Sequence, residues 1–145
     1  MGNVITVIKL NFGDPELQKA FDIRRKVFVE EQRCPADIEY QNDNVSTHFL
    51  AICGDVPCGA ARWRKTENGI KLERFAVLPA FRGKGVGVHL VNAVLADIPG
   101  NTSKIYLNAQ ISAMNFYTPF GFIPVGEQFD EAGIRHQQML YAGHS

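Results

Sequence analysis

The sequence predicts a mixed α/β fold around one central sheet. Three observations support this: short apolar runs of strand character recur along the chain, two longer stretches have helical spacing, and turn signals separate them. Residues 72–109 read as strand, glycine-rich turn, helix and strand, which predicts two parallel strands joined by a right-handed crossover. These patterns are typical of helices layered on a sheet.

In the N-terminal half, a strand is followed by a helix and then by a run of strands. Asp14 and Pro15 are typical of a helix start. The helical face that follows, over residues 17–31, is apolar except at Arg24 and Glu31. Either these two lie at its edge with packed stems, or the helix borders a polar pocket. After a polar loop over 34–45, the predicted strands are 48–53, 58–65 and 70–78, and the first strand is 4–10.

The C-terminal half is predicted to alternate between helices and strands. A helix runs from Val86 and ends before Pro99. A strand at 105–109, a short helix at 112–119 and strands at 122–125 and 135–141 follow. Because no linker, repeat or low-complexity segment interrupts the chain, we expect a single domain over residues 1–145.

Composition excludes several classes of function. Fifteen Lys and Arg balance fifteen Asp and Glu, so the chain lacks the positive surplus of a nucleic-acid binder or a polybasic membrane surface. No signal peptide or membrane span is visible, and three cysteines without an export signal favour a reducing cytoplasm. Cys53 and Cys58 flank a turn, which leaves a disulfide between them open, and no metal site is expected because His48 adds too few ligands.

The segment Arg82-Gly83-Lys84-Gly85-Val86-Gly87 is the most informative stretch of the sequence. It joins a predicted strand to a predicted helix with three alternate glycines. Glycines let backbone N–H groups approach a ligand, and a helix N-terminus attracts anions. A phosphate or pyrophosphate is therefore expected there, although a tight turn without a ligand remains an alternative. The glycine spacing fits neither the Walker nor the dinucleotide pattern.

Residues 72–87 resemble the acetyl-CoA-binding motif of the GNAT acyltransferase superfamily, whose core is Gln/Arg-x-x-Gly-x-Gly/Ala. A second block, from Asn108-Ala109-Gln110 to Phe120-Gly121-Phe122, is similar to the C-terminal motif of that superfamily. More narrowly, residues 27–35, His48 and residues 132–136 resemble the ElaA/YjcF-like branch of small bacterial GNAT proteins. Two departures are Gln110, where many members have Asn, and Arg135, where the branch often has Pro.

The resemblance implies the GNAT fold, a mostly antiparallel sheet with a V-shaped splay between its fourth and fifth strands, flanking helices and acetyl-CoA in the opening. The implied cofactor-binding residues are Phe75, Ala76, Val77, Arg82, Gly83, Lys84, Gly85, Val86, Gly87, Asn108 and Gln110. A bulge in the fourth strand, placed by position at residues 75–77 and most closely at Val77, would expose a backbone N–H to polarise the thioester carbonyl. These residues can also be ordinary core residues of the strand, since their side chains can pack while the backbone faces the ligand.

Two side chains are assigned catalytic roles by position in the motifs. Tyr117 matches the tyrosine that protonates the departing thiolate, and this motif match makes it the best catalytic candidate, although spacing alone would not separate it from a core aromatic. Glu73 is the candidate base that takes a proton from the acceptor ammonium. The alternative for Glu73 is a surface carboxylate paired with Lys71, Arg62 or Arg64. Weaker candidates for the base are Glu31, His48 and His136.

The expected function is acetyl-CoA-dependent transfer of an acetyl group to the primary amine of a small polar acceptor. The expected acceptor pocket has mixed charge, from Arg24, Glu31, Asp37, Glu39 and Arg135. An alternative is a catalytically weak acyl-CoA-binding or regulatory module on the same fold, and a protein without any cofactor is a third. The oligomeric state stays open, since residues 135–141 would allow a homodimer if they form a sheet edge.

Overall fold

A computed structural model describes residues 4–35 and 41–143 of the chain. The chain divides into two compact units, the first comprising Met1–Arg64 and Arg74–Ile98 and the second Lys65–Glu73 and Pro99–Ser145. Over the described residues the helices and strands are β1 (Ile5–Leu10), α1 (Leu17–Arg24), β2 (Ser46–Cys53), β3 (Val56–Thr66), β4 (Gly69–Val77), α2 (Val86–Asp97), β5 (Ile105–Gln110), α3 (Met114–Tyr117), β6 (Phe122–Pro124), β7 (Phe129–Glu131) and β8 (Ile134–Tyr141).

The predicted mixed α/β class is confirmed. The sheet is open, with strand order β1-β2-β3-β4-β5-β8-β6, and β7 pairs with β8. In the first unit β1 pairs antiparallel with β2, and β2 with β3. Alternation along these strands places one row of apolar side chains against α1, in a core that includes Leu10, Leu17, Ala20, Ile23, Leu50 and Ala60.

The helix predicted over residues 17–31 changes its winding part-way. After α1 the chain continues as a π-helix over Arg25–Glu31. The N–H of Gln32 donates to the carbonyl of Val27, five residues earlier, at 3.0 Å. A π-helix is rare and takes more residues per turn than the spacing argument assumes. It leaves Val27 and Phe28 buried and ends at Glu31.

Helix α2 lies very close to strand β3 in the first unit, and Gly59 makes this possible. A Cβ at Gly59 would lie 2.9 Å from Val86 Cγ1, 3.0 Å from Leu90 Cδ1 and 3.1 Å from the carbonyl oxygen of Ala76. The missing side chain lets the first turn of α2 pack on the sheet. The start of α2 is thereby fixed next to the end of β4.

In the second unit, β4 and β5 are parallel, as the sequence predicts. Ile70–Leu72 pair with Ile105–Leu107, and β5 pairs antiparallel with β8. The suggestion that residues 135–141 form a sheet edge is wrong, because β8 has β5 on one side and β6 and β7 on the other. β7 is absent from the sequence prediction because it has only three residues, two of them exposed and charged. It reaches β8 through Ala132 and Gly133, whose φ angles of 52° and 78° suit a tight hairpin turn.

Cys34, Cys53 and Cys58 are buried free thiols, so the disulfide left open by the sequence is absent. Burial raises the pKa of Cys58 to about 11, which keeps its thiol protonated and unreactive. Among the described residues, no helix is long and apolar enough to cross a membrane.

A buried ionic cluster holds the first unit together beneath α1. Asp43 accepts hydrogen bonds from Arg24 at 2.8 Å and from Arg62 at 2.6 Å. The two guanidinium side chains are 0% and 1% exposed. His48 Nε2 donates to the carbonyl of Asp43 at 2.9 Å, and the ring of Phe21 meets His48 edge-on. Arg24 therefore lies inside the unit, and the expectation that its stem packs at the edge of a helical face is wrong.

Removing the shared carboxylate should destabilise the protein strongly. In Asp43→Asn two buried guanidinium groups lose their common anionic partner, and we expect a loss of about 3–5 kcal/mol in the free energy of unfolding. Urea denaturation measures this. Asp22→Asn is the matched control, because Asp22 lies 3.6 Å from Arg25 in an exposed pair and its loss should stay within about 0.5 kcal/mol. Equal losses in the two variants would contradict a structural role for the cluster.

The same cluster predicts a pH dependence of stability. Burial lowers the pKa of His48 below its ordinary value of 6.5, and the positive charges of Arg24 and Arg62 lower it further. The carbonyl and the carboxylate of Asp43 raise this pKa, but by less. The unfolded chain therefore binds the proton first, and stability should fall as the pH drops from 6.5 through the folded pKa, by at most about 1.4 kcal/mol per pH unit. Thermal unfolding between pH 5 and 8 (about one unit either side of the ordinary pKa) should show a smaller slope in His48→Gln. Identical slopes in both proteins would exclude His48 as the source.

Candidate active site

The glycine-rich turn in the first unit is built to leave backbone donors accessible. β4 ends at Val77, and α2 starts at Val86 with Gly85 as its N-cap residue. Gly83 and Gly85 have φ angles of +77° and +88°, a region that favours glycine. No atom lies within 4 Å of where a Cβ at Gly83 would be, and no side chain caps α2. The N-terminus of α2 thus offers uncapped N–H groups and a partial positive charge.

Two side chains complete the turn. The ring Nδ1 of His89 lies 2.8 Å from the carbonyl oxygen of Gly85, and the backbone N–H of His89 donates to the same oxygen at 3.1 Å. The carbonyl of Gly85 is thereby directed toward the first turn of α2 and bonded within it. The exposed ammonium of Lys84 lies 5.7 Å from the ring centre of Phe81 and adds positive charge at the turn.

Arg82 is engaged within the protein rather than presented to solvent as a bare cation. Its Nε donates to the carbonyl of Val77 at 2.9 Å. Its two terminal nitrogens donate to Glu31 Oε2 and Oε1 at 2.9 and 2.7 Å. The hydrogen bond from Arg82 lowers the pKa of Glu31, so this carboxylate is ionised at neutral pH. The charge expected from Arg82 at the turn is matched by that of Glu31.

Strand β4 carries its backbone irregularity at Arg74. The φ angle of Arg74 is +59°, and the guanidinium carbon lies 5.5 Å from the ring centre of Phe28. This left-handed residue lies one position before residues 75–77, where the resemblance implies a bulge. Ala76 is buried, while Phe75 and Val77 are half-buried.

In the second unit, Glu73 lies on β4 with its carboxylate 3.0 Å from the ammonium of Lys71. Both side chains are largely buried, at 11% and 16% exposed. The pairing with Lys71 is one that the alternative for Glu73 predicts, but the expected surface position is wrong, because the carboxylate is largely buried. The pairing also requires the ionised form, which is the form that can accept a proton.

Asn108 and Gln110 lie on one face of β5, two residues apart. Their partners on β8 are Gln138 and His136, and side chains of paired residues share a face. Among the described residues, Asn108 Oδ1 is a buried oxygen without a hydrogen-bond partner. A buried carbonyl oxygen without a partner is costly, so this face is suited to a ligand that supplies a hydrogen-bond donor.

Tyr117 is the last residue of the short helix α3, which short 3₁₀ turns flank on both sides. Its side chain is buried beside the rings of Phe116 and Phe122, with ring centres 5.0 and 6.1 Å away. Burial raises the pKa of the phenol well above its usual range. Tyr117 therefore keeps its proton at any physiological pH and can act only as a proton donor.

A protein-family model described as an acetyltransferase (GNAT) domain matches residues 14–142. The chain belongs to the GNAT acetyltransferase family. It is 40% identical over 131 residues to the "Uncharacterized N-acetyltransferase YjcF" of Bacillus subtilis (strain 168), covering 88% of this chain and 94% of YjcF. It is 35% identical over 130 residues to the protein ElaA of Escherichia coli (strain K12), covering 83% and 84% of the two chains.

Solved structures agree with this membership. The crystal structure of Escherichia coli ElaA superposes with a TM-score of 0.80 and 30% identity, covering 94% of this chain and 99% of ElaA. A GNAT family acetyltransferase from Elizabethkingia anophelis, solved with acetyl-CoA bound, has a TM-score of 0.69 and 16% identity and covers 94% of both chains. At that identity the likeness concerns the fold. The GNAT fold predicted from the sequence is confirmed.

The weaker candidates for a catalytic base have different environments in this GNAT protein. Glu31 is bound by Arg82, and His48 is 1% exposed within the ionic cluster. His136 Nδ1 lies 2.7 Å from the carbonyl of Ile134, so this nitrogen carries the proton, and Nε2 lies 3.6 Å from Glu131. Arg135 pairs with Asp130 at 3.5 Å on the surface. Asp37 and Glu39 lie outside the described residues.

The structure places the predicted site residues in two groups. The turn and residues 75–77 belong to the first unit, whereas Glu73, Asn108, Gln110 and Tyr117 belong to the second. Sequence reasoning missed two polar groups, the carboxylate of Asp43 and the pairing of Glu31 with Arg82. Glu31 offered a signal, because it is one of two charged residues on a helical face whose other positions are apolar. Asp43 offered none within its polar loop.

Proposed function

We propose that this GNAT protein transfers the acetyl group of acetyl-CoA to the primary amine of a small polar acceptor in the cytoplasm. The observation that carries the proposal is the uncapped N-terminus of α2, with left-handed glycines at positions 83 and 85. Acetyl-CoA has a pyrophosphate that suits such a site and supplies an activated thioester. The three free thiols favour a reducing compartment.

The proposed binding residues come from both motifs. Backbone N–H groups of Gly83, Gly85, Val86 and Gly87, with the ammonium of Lys84, would hold the pyrophosphate. The amides of Asn108 and Gln110 would pair with the peptide-like groups of the pantetheine arm. The partnerless Asn108 Oδ1 supports this role, since a pantetheine N–H would satisfy it. Arg82 lies at the same turn, and its contacts indicate that it supports the backbone there.

Each proton and charge in the transfer then has a proposed residue. The amine nitrogen forms a bond to the thioester carbon, and the carbon–sulfur bond breaks. Backbone N–H groups of residues 75–77 stabilise the charge that develops on the carbonyl oxygen. Glu73, ionised in its pair with Lys71, takes the first proton from the acceptor ammonium, and Tyr117 donates a proton to the departing thiolate. The second proton, which the nitrogen loses on becoming an amide, returns to the Tyr117 phenolate.

Acetyl-CoA binding should raise the thermal stability of the protein. At about a hundred times its dissociation constant a ligand contributes about 2.7 kcal/mol, which at this size corresponds to a rise of roughly 5–10 °C. ATP and NAD serve as control ligands and should give smaller shifts. Gly85→Ala should lose most of the shift, because a Cβ at φ +88° strains the turn that binds the pyrophosphate.

Gly13→Ala is the matched control, since Gly13 also has a positive φ (+98°) and no atom within 4 Å of its Cβ position. Gly13→Ala should lose about as much stability as Gly85→Ala, but acetyl-CoA should still raise its melting temperature as much as it does in the wild-type protein. No shift in the wild-type protein at millimolar acetyl-CoA (about −4 kcal/mol of binding at the weakest) would overturn the cofactor assignment. Binding without thiol release across a panel of primary amines would instead indicate an acyl-CoA-binding module.

Tyr117→Phe should slow turnover with little effect on binding. Without a proton donor the thiolate is a poorer leaving group, and we expect kcat to fall by about 10²–10⁴-fold. The dissociation constant for acetyl-CoA should stay within about twofold, because the buried ring is retained. Steady-state thiol release and calorimetry measure the two effects.

The control is Tyr106→Phe, which removes a buried phenol bonded to Thr66 at 2.8 Å in the same unit. It should cost about 1 kcal/mol of stability and leave kcat unchanged. A normal kcat in Tyr117→Phe would remove Tyr117 from the mechanism and leave the cofactor assignment intact.

A further inference from the structure

A chain of three contacts connects the end of the π-helix to the end of strand β4. The carboxylate of Glu31 accepts two hydrogen bonds from the terminal nitrogens of Arg82, at 2.7 and 2.9 Å. The Nε of the same guanidinium donates to the carbonyl oxygen of Val77 at 2.9 Å. Two-point pairing of a carboxylate with a guanidinium fixes the plane of the guanidinium and therefore the direction of its Nε–H.

The carbonyl held by Arg82 belongs to a peptide group that is also held from its other side. The N–H of Leu78, in the peptide between Val77 and Leu78, donates to the carbonyl of Cys58 at 2.9 Å. Both polar atoms of that peptide are thus bonded, which fixes the backbone of Val77. Val77 is the residue at which the family resemblance implies the N–H that would polarise the thioester.

Glu31 is itself held in place. It is the last residue of the π-helix, and the chain after it is anchored by two backbone bonds, from Gln32 to Val27 at 3.0 Å and from Cys34 to Phe28 at 2.7 Å. Phe28 is buried in the core of the first unit. The carboxylate therefore projects from a fixed backbone.

If the Arg82 side chain bound phosphate, its N–H donors and its charge would have to be available to the ligand. Three of its five N–H donors are directed at Glu31 and Val77, and its charge is matched by one carboxylate. A role in overall stability also fits poorly. The two side chains are 43% and 41% exposed, and exposed ion pairs contribute little to stability. The geometry favours a local role.

We propose that Glu31 and Arg82 are positioning residues: the carboxylate orients the guanidinium, and the guanidinium holds the Val77 peptide that supports the polarising backbone of β4. The inference rests on the proposed function for its catalytic consequence. The mechanical link from Glu31 to the Val77–Leu78 peptide can be measured without any substrate.

The test compares Glu31→Gln with Glu30→Gln. Glu30 is the adjacent glutamate, exposed and paired with Arg25 at 3.5 Å, and serves as the matched control. Hydrogen exchange followed by NMR should show that the Leu78 amide exchanges about tenfold faster in Glu31→Gln, since hydrogen bonds to charged groups contribute enough to change local opening by this factor. Glu30→Gln should exchange as wild type does.

Kinetics provide the second measurement. In Glu31→Gln we expect kcat for thiol release to fall about tenfold, with the dissociation constant for acetyl-CoA within about twofold of wild type. Arg82→Lys should behave in the same way, because lysine keeps the charge but cannot bond to Glu31 and Val77 together in one fixed geometry. Glu30→Gln should leave both quantities unchanged.

Two results would overturn the inference. Unchanged exchange of Leu78 in Glu31→Gln would show that the chain of contacts does not hold the peptide. A dissociation constant raised tenfold or more in Glu31→Gln or Arg82→Lys, with normal kcat at saturation, would show that Arg82 serves cofactor binding instead. Failure of the proposed function would give a different result, because the wild-type protein would then release no thiol. Hydrogen exchange of Leu78 would still show whether Glu31 and Arg82 hold the Val77–Leu78 peptide.

Discussion

Strand β4 carries the constraint on which the proposed site depends. Its first part, up to Glu73, belongs to the second unit, where Ile70–Leu72 pair in parallel with β5, and its last part, from Arg74, belongs to the first. At Arg74 the backbone takes a left-handed conformation that costs a non-glycine residue roughly 1–2 kcal/mol. Such strain persists only where surrounding contacts impose it. In the first unit, two sets of contacts hold the end of β4. The guanidinium of Arg74 lies over the ring of Phe28, and the Val77–Leu78 peptide is bonded at both its carbonyl and its N–H.

The turn that follows β4 depends on packing as well as on glycine. Its uncapped N–H groups face a ligand only if the start of α2 stays fixed, and Gly59 allows Val86 and Leu90 to pack directly on β3. The carbonyl of Gly85 is bonded to both the ring and the backbone of His89. Anion binding by a helix terminus then needs little rearrangement, which is how preorganised dipoles gain their effect.

The sequence predicts the parts of the fold that rest on local patterns. The glycine turn, α2, the β2–β3 hairpin and the parallel pairing of β4 with β5 follow from spacing and turn residues. Contacts between residues distant in sequence do not: Asp43 lies 19 residues from both Arg24 and Arg62, and Glu31 lies 51 residues from Arg82. No periodicity encodes such pairs. The π-helix is also hidden, because its side chains differ little from those of an ordinary amphipathic helix.

For the site, the motifs assign candidates, and the structure shows the surroundings of the two assigned catalytic roles. Tyr117 is surrounded by aromatic rings, and burial alone keeps its phenol neutral. Glu73 in the same unit has an ammonium 3.0 Å from its carboxylate, and an ion pair needs the carboxylate charged. Opposite environments around two titratable groups are how one site holds an acid and a base at the same pH. These environments leave Glu73 able to take a proton and Tyr117 holding one, which are the starting states that the proposed roles require. The sequence assigned both roles and named Lys71 among three partners for Glu73, but spacing along the chain does not show the rings that bury Tyr117.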